Sequence, residues 1–282
     1  MNIWDREDMI NFLFWNLRGK PLKEHVTTLC REHEVDILIL AESNIPQAEL
    51  LDMLNKNEVS KFEAPHDLSK KLRFYVKFPA EYFKSVRDER NIAIRKLELP
   101  NVWDILIVAV HLPSKLYLDS ENQTLMCPRY ADLIRKAESK VGHCRTLVVG
   151  DFNMNPFENG VVNSEGFHAL MDRRLTIKKS RKVWGVKRQF FYNPMWGKMS
   201  DSSEGPPGTY YYRKSVPLCY IWNTFDQVLL RPELLDFFSN DHLKVIDNIS
   251  GTPLLSKTGI PDKKSFSDHL PLFFKLQIEK EA

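Results

Sequence analysis

Several continuous apolar runs, each ending in a polar residue, limit most strongly what this chain can fold into. Val35–Leu40 and Trp103–Leu112 are apolar on both faces of an extended chain, which is typical of strands covered on both sides of a sheet. Ile10–Trp15 and Arg145–Val149 are shorter runs of the same kind. Between Trp103–Leu112 and Arg145–Val149, the segment Glu121–Lys140 combines spaced apolar residues with many charges, which is typical of a helix lying on a sheet.

The remaining segments extend this alternation of strands and helices. One helix is predicted to open at Gly19-Lys20-Pro21 and to run to about His33, and another to begin at Pro46. We expect Lys84–Arg90 to be a charged turn between two strands. The other predicted strands are Leu72–Phe78, Asn91–Leu97, Thr209–Arg213, Ile221–Leu230 and Leu272–Ile278.

Composition favours one large globular domain over residues 1–282, because 43% of the residues are hydrophobic and no long linker divides the chain. A net charge of +3 says little about partners. The four cysteines are widely separated with no CxxC pair, so we expect free thiols in a reducing compartment. The first residues are acidic, unlike a signal peptide, and no run approaches the ~18 apolar residues of a membrane span. These features predict a soluble, cytoplasmic protein without a membrane span.

The stretch Val148–Pro156 carries the clearest candidate for chemistry. Gly150 breaks the strand and Pro156 prevents a return to regular structure, so Asp151 and Asn153 are expected at the strand's carboxyl end. Two residues apart in an extended segment, they point the same way and offer oxygens to a hard cation or a water molecule. Ordinary turn formation is the alternative for both residues.

Other polar residues also follow predicted strands, and each has a structural alternative. Asn16 could cap the next helix, Glu42 could be solvated and His111 could be a hydrogen-bonded core residue. Asp226 lies within an apolar run and requires a partner, for which Arg231 is a structural candidate. The remaining members of this set are the adjacent residues Asp268 and His269.

The order and spacing of these residues resemble the endonuclease/exonuclease/phosphatase superfamily. The resemblance implies a four-layer α/β sandwich, with two mixed sheets face to face, helices outside, and an active site where loops from both sheets meet. Gly-Asp-Phe-Asn combined with a carboxyl-terminal Ser-Asp-His is a specific pairing, whereas either motif alone is weak. The matching pieces are Trp15-Asn16, Ala41-Glu42-Ser43, Val110-His111-Leu112, Gly150-Asp151-Phe152-Asn153, Phe225-Asp226 and Ser267-Asp268-His269.

The resemblance implies Mg²⁺, or Mn²⁺ in its place, as the cofactor. Its first ligand would be Glu42, with help from Asn16 and Asp268. Asp151 and Asn153 would orient the attacking water and the phosphate, with room for a second metal near Asp151. A hard divalent cation suits phosphate ester hydrolysis because it neutralises the phosphoryl oxygens and stabilises the leaving oxyanion.

The two histidines complete the expected catalytic set. His269 would act as a general base or as a phosphate-stabilising imidazole. Asp226 would fix the tautomer of His269 and favour its charged form, and His111 would contact the phosphate from the opposite side.

A local concentration of positive charge follows the Asp-Phe-Asn motif. The segment 173–188 contains eight Lys or Arg and no Asp or Glu, and several aromatic residues lie in it or just after it. We expect it to neutralise phosphates and to stack on unpaired bases, although a solvated charged loop is the alternative. The candidate nucleic-acid-binding residues are Lys178, Lys179, Arg181, Lys182, Trp184, Lys187 and Arg188.

The sequence therefore predicts a metal-dependent phosphodiesterase, and foremost a nuclease acting on DNA in preference to RNA. The alternatives are a phosphatase or phospholipase-type hydrolase of a small-molecule or lipid phosphate, and a catalytically idle member that binds nucleic acid. Two departures argue against a particular repair activity: Ala41 replaces the Gln that precedes the Glu in many members, and Arg18 stands where some AP endonucleases have Asp. Ile221–Asp226 does not reproduce the Trp-Cys-Asp-Arg element of inositol phosphatases.

Overall fold

The computed structural model describes residues 9–66, 71–116, 118–201 and 204–278. The acidic amino-terminal residues, on which the prediction of no signal peptide depends, lie outside the described residues. All four cysteines are free. None of the helices in the described ranges is both long enough and apolar enough to cross a membrane.

Two large sheets and five α-helices form the framework of the described chain. The helices are α1 (Lys23–Glu32), α2 (Gln47–Leu54), α3 (Ser120–Val141), α4 (Asn159–Val162) and α5 (Arg173–Thr176). The strands are β1 (Met9–Asn16), β2 (Ile37–Ala41), β3 (Leu72–Val76), β4 (Phe83–Glu89), β5 (Ile92–Leu97), β6 (Ile105–His111), β7 (Thr146–Asp151), β8 (Ala169–Leu170), β9 (Ser180–Val183), β10 (Val186–Gln189), β11 (Phe191–Tyr192), β12 (Tyr210–Tyr212), β13 (Ile221–Asn223), β14 (Asp226–Leu230), β15 (Lys244–Val245), β16 (Asn248–Ile249), β17 (Thr252–Pro253) and β18 (Leu272–Gln277).

Both large sheets are mixed. The first has five strands in the order β15-β18-β1-β2-β3, in which only β1 and β2 run parallel. The second has seven strands in the order β4-β5-β6-β7-β14-β11-β8, with parallel pairing of β6 to β7 and of β11 to β8. Three two-stranded sheets join β9 to β10, β12 to β13 and β16 to β17.

Alternating side chains divide the core into layers. On β6, Ile105, Ile107 and Ala109 belong to the core between the two sheets, whereas Leu106 and Val108 pack with residues of α3 on the outer face. Helices α1 and α2 bury apolar side chains in the same core cluster as the five-stranded sheet. The predicted four-layer α/β sandwich is confirmed.

One predicted turn is a strand. Lys84–Arg90 was expected to be a charged turn, but most of it belongs to β4, which pairs with β5 along the edge of the seven-stranded sheet. Only Phe83 is buried in this strand, so it has no apolar face that a sequence pattern could show. Charged edge strands of this kind discourage pairing with other chains.

One predicted strand is divided into two strands in the structure. The run Ile221–Leu230 divides after Asn223 into β13, which pairs with β12, and β14, which pairs with β7. The backbone N–H of Thr224 donates to Asn155 Oδ1 at 2.9 Å, and the carbonyl of Phe225 accepts from Phe152. These bonds replace ladder pairing at the break, and the second strand therefore begins at Asp226.

Gly150 permits the close pairing of β6 and β7 beside the candidate site. It has φ +149°, and a Cβ there would lie 1.9 Å from the carbonyl oxygen of Val110. Gly142, at the end of α3, also has a positive φ of +81° but no atom within 4 Å of an added Cβ.

This difference predicts unequal effects of alanine at the two glycines. Gly150→Ala should lower the free energy of unfolding by more than about 3 kcal/mol, because the clash is with backbone and cannot be relieved by a side-chain rotation. Gly142→Ala should cost about 1 kcal/mol, from its left-handed conformation alone. Urea unfolding of both variants measures this difference, and equal losses would contradict the assigned pairing.

Candidate active site

Three adjacent strands of the seven-stranded sheet place polar side chains in one row. His111 pairs in register with Asp151, and Asp226 pairs with Asp151 from the other side. Each residue continues the inward-facing alternation of its own strand, so all three point toward the five-stranded sheet. The site is therefore at one end of the sandwich, between the two sheets.

The opposite sheet supplies Asn16. Its Nδ2 donates to Asp151 Oδ2 at 2.9 Å, while the backbone N–H of Asn153 donates to Asp151 Oδ1 at 2.8 Å. Asp151 is only 1% exposed, so these bonds replace the water that would otherwise solvate its carboxylate. Asn153 itself has φ +51° and donates from Nδ2 to the carbonyl of Leu112.

His269 lies between two carboxylates. Its Nδ1 is 2.9 and 3.1 Å from the two oxygens of Asp226, and its Nε2 is 3.9 Å from Asp151 Oδ2. The backbone of His269 is fixed as well, because its carbonyl accepts from Trp15 Nε1 and its N–H donates to Ser267 Oγ. Arg231, the structural alternative partner of Asp226, instead forms a buried pair with Glu138.

These contacts set the charge of the imidazole. Burial disfavours the charged ring, but the carboxylates of Asp226 and Asp151 outweigh it and raise the pKa of His269 to about 10. Burial also raises the pKa of Asp151. His269 is therefore an imidazolium at neutral pH, with Nδ1–H directed at Asp226, and of its two expected roles the geometry favours stabilising a phosphate over acting as the base.

Glu42 and Asp268 lie at the rim of this cluster. Glu42 Oε1 is 3.0 Å from His111 Nε2, and the hydrogen bond from His111 lowers the pKa of Glu42. Glu42 has φ +49°, a conformation that costs free energy for a non-glycine residue and is often found at functional sites. Asp268 Oδ2 accepts from Arg18 Nη1 at 2.5 Å, whereas its buried Oδ1 has no hydrogen-bond partner among the described residues.

The side chains fit a hard cation by their chemistry. In the described ranges, one group of three acidic, histidine or cysteine side chains has ligand atoms within 4.8 Å of one another, namely Asp151, Asp226 and His269. Because Asp226 already binds Nδ1 of His269, we interpret this group as a charged pair beside a carboxylate. The predicted ligands Glu42, Asn16 and Asp268 offer oxygen donors around it, and the unpartnered Oδ1 of Asp268 is the type of atom that a divalent cation would satisfy.

The basic segment does not reach this cluster. Its residues form α5 and the hairpin of β9 and β10, which precede β11. Tyr192 of β11 pairs with Leu230, which pairs in turn with Leu147, at the opposite end of β7 from Asp151. The predicted nucleic-acid contacts therefore lie away from the candidate catalytic residues and stay predictions; they are Lys178, Lys179, Arg181, Lys182, Trp184, Lys187 and Arg188.

Sequence reasoning missed two residues that support the charged pair. Thr209 Oγ1 accepts from the backbone N–H of Asp226 at 3.0 Å, and the ring of Tyr210 is 4.7 Å from that of His269. Tyr210 is the first residue of the short strand β12 and forms an isolated antiparallel bridge with His269, and Thr209 directly precedes this strand. The Thr-Tyr-Tyr-Tyr run predicted a strand, but nothing in it indicated contact with a residue so distant in the chain.

A protein-family comparison bears on the same residues. Residues 13–269 match the model of the Endonuclease/Exonuclease/phosphatase family, which spans most of the chain and every candidate catalytic residue named above. The chain belongs to this family. Its members are phosphoric ester hydrolases, and mostly nucleases. No curated protein matches the chain significantly.

Solved structures support the fold at low sequence identity. The endonuclease domain of TRAS1, a telomere-specific non-LTR retrotransposon, is 12% identical, with 96% of this chain and 100% of that chain covered and a TM-score of 0.53. D. rerio TDP2 complexed with single strand DNA product is 15% identical over 96% and 99% of the chains, with a TM-score of 0.55. Truncated Caenorhabditis elegans TDP2 is 13% identical over 95% and 98%, with a TM-score of 0.54.

The charge of His269 is directly measurable. In protein kept metal-free with EDTA, nitrogen-15 NMR of the imidazole should show both ring nitrogens protonated at pH 8, with deprotonation only as the pH rises toward about 10. Asp226→Asn should move this titration to lower pH, because it removes the carboxylate charge beside Nδ1. A neutral ring at pH 8 in the unaltered protein would contradict this assignment.

Proposed function

We propose that this chain is a metal-dependent phosphodiesterase that hydrolyses nucleic acid. The observation that carries the proposal is the placement of the buried ring of His269, whose Nδ1 is 2.9 Å from Asp226 and whose Nε2 faces Asp151. A structural ion pair has no need of a further buried carboxylate beside it, because each added charge in a dry site costs free energy. A phosphoryl group that enters this row would instead find a proton donor and a carboxylate side by side.

The residues divide the work of hydrolysis among them. Asp151 orients a water molecule for in-line attack on phosphorus and accepts its proton, which its raised pKa favours. His269 donates its Nε2–H to a phosphoryl oxygen that gains negative charge, and Asp226 keeps the ring charged and oriented. Asn16 and Asn153 hold the carboxylate of Asp151 in place. The P–O bond to the leaving oxygen then breaks.

A divalent cation of the Mg²⁺ or Mn²⁺ class would be held by Glu42 with Asn16 and Asp268. When bound, it supplies charge neutralisation at the phosphate and at the leaving oxygen.

Nucleic acid as substrate is supported by the surroundings of the row. A cleft of about 880 Å³ opens beside Glu42 and His111. Lys71, Arg90 and Arg129 line it together with Glu89, which pairs with Arg129, so Lys71 and Arg90 supply its excess of positive charge. A cleft of this size and charge suits a polyanion better than a small phosphate. The likeness to a TDP2 structure that contains a single strand DNA product agrees with this choice.

Activity should depend on both the metal and the row of side chains. We expect cleavage of labelled single-stranded DNA, duplex DNA or RNA with Mg²⁺ or Mn²⁺ and none with EDTA. Asp151→Asn and His269→Ala should each lower kcat by a factor of about 10² to 10⁴, because each removes a group that acts in the transition state. Circular dichroism should show that both variants keep the fold.

Lys56→Ala, an exposed change in the loop after α2, is a suitable control and should keep full activity. Near-normal turnover by either active-site variant would remove that residue from the mechanism. Hydrolysis confined to a small chromogenic diester or to a lipid phosphate would contradict nucleic acid as the substrate class.

A further inference from the structure

The hairpin of β9 and β10 presents an exposed cationic and aromatic surface. Trp184 and Gly185 form its two-residue turn with φ +47° and +81°, which is the type I′ geometry that suits a tight hairpin. The side chain at the tip, Trp184, is 93% exposed. An indole that is almost fully exposed does not stabilise the fold by burial. Exposed apolar surface of this kind often marks a binding site.

The base of the hairpin is anchored by two of its arginines. Arg181 Nε donates to His168 Nε2 at 3.0 Å, and Arg188 makes two hydrogen bonds to Glu165 at 2.8 and 2.6 Å. His168 can accept because it is neutral: burial lowers its pKa to about 4. These contacts fix the hairpin against the sandwich.

The lysines of the hairpin are not compensated in this way. Lys182 and Lys187 are directly opposite each other across the two strands, and neither has an acidic partner in the described part of the chain. Like charges in such a cross-strand pair destabilise a hairpin. An anion bound between or beside them would remove this cost.

A cavity adjoins the same lysine. It has a volume of about 160 Å³, lies between the hairpin and α3, and is lined by Lys187, Arg188, Arg231, Arg135 and Ser164. Arg231 is neutralised by Glu138, but the nearest acidic oxygen to Arg135 is 3.9 Å away on Asp132. The cavity walls therefore keep an excess of positive charge and hydrogen-bond donors.

The hairpin is remote from the catalytic row. The carbonyl of Phe190, which follows β10, accepts from Arg231 Nη1, and the N–H of Arg231 donates to Thr146 at the start of β7. Asp151 is five residues further along β7, or about 17 Å at the rise of a strand. A single phosphate cannot contact both places.

We propose that the hairpin Ser180–Gln189 and the adjoining cavity form a second nucleic-acid-binding surface, distinct from the catalytic row. The phosphodiester backbone lies against Lys182, Lys187 and Arg135, and an unpaired base stacks on Trp184. This inference rests on the proposed nucleic acid substrate and extends it. Its consequence is that a polymer long enough to reach both surfaces binds more tightly than a short one.

Binding of a fluorescein-labelled single-stranded DNA of about 30 nucleotides, measured by anisotropy in EDTA, tests this surface without any catalysis. The double variant Lys182→Glu with Lys187→Glu should raise Kd at least about tenfold and lower the slope of log Kd against log salt by about 2. Trp184→Ala should raise Kd by about tenfold. The matched control, Lys56→Glu with Lys257→Glu, changes two exposed lysines in loops outside this surface and should bind normally.

Hydrolysis separates this inference from the proposed function. The Lys182/Lys187 double variant should lose cleavage efficiency on a 30-nucleotide strand by a much larger factor than on a dinucleotide. Binding through the hairpin without any hydrolysis would refute the proposed function and leave this surface standing. Unchanged Kd and salt slope in the double variant, or an equal loss in the control, would overturn it. Binding of polyglutamate, a model of an acidic protein segment, is measured with the same double variant. If that variant keeps its DNA affinity but loses polyglutamate binding, the inference is overturned and the hairpin is assigned to an acidic protein partner.

Discussion

A buried carboxylate at Asp151 is the constraint on which the site depends. The residue is 1% exposed, and a charge in such a place is tolerated only when fixed donors replace water. Two donors come from separate parts of the fold, Asn16 from the five-stranded sheet and the backbone N–H of Asn153 from the loop after β7. His269, in the loop before β18, adds a charge contact at 3.9 Å. Water solvates this carboxylate in the unfolded chain, and burial in the folded protein raises its pKa, so these groups from separate parts of the fold reduce the cost of keeping it charged.

Asp226, Glu42 and Asp268 each face a group able to carry positive charge, whereas Asp151 shares His111 and His269 with them at 3.8 and 3.9 Å. Asp226 is fully buried and is compensated by the imidazolium of His269. Glu42 and Asp268 face His111 and Arg18, which are the nearest groups able to carry positive charge. A divalent cation at the rim would take over this compensation from His111 and Arg18, leaving both free to face a phosphate.

Much of the site could be predicted from the sequence, because strand ends and motifs are local signals. All five were predicted at strand ends: Asn16, His111 and Asp151 are the last residues of β1, β6 and β7, and Glu42 and Asn153 follow β2 and β7. The charge of Asp226 required a partner, but the sequence left Arg231 and His269 both open. Long-range register decided between them, as it decided the contact of Tyr210 with His269 and the distance of the basic hairpin from Asp151. Edge strand β4 was missed because it is rich in charged residues and only Phe83 is buried, so it lacks the alternation of apolar and polar residues that indicates a strand.

We propose that Asp226 acts through His269 and that the two form one functional unit. The most direct test compares kcat on single-stranded DNA for Asp226→Asn, His269→Ala and the double variant. The account predicts that the double variant is no slower than His269→Ala alone, because Asp226 has nothing to orient once the ring is gone. If the losses of the two single variants multiply in the double variant, Asp226 acts independently of His269 and this account of the site is wrong.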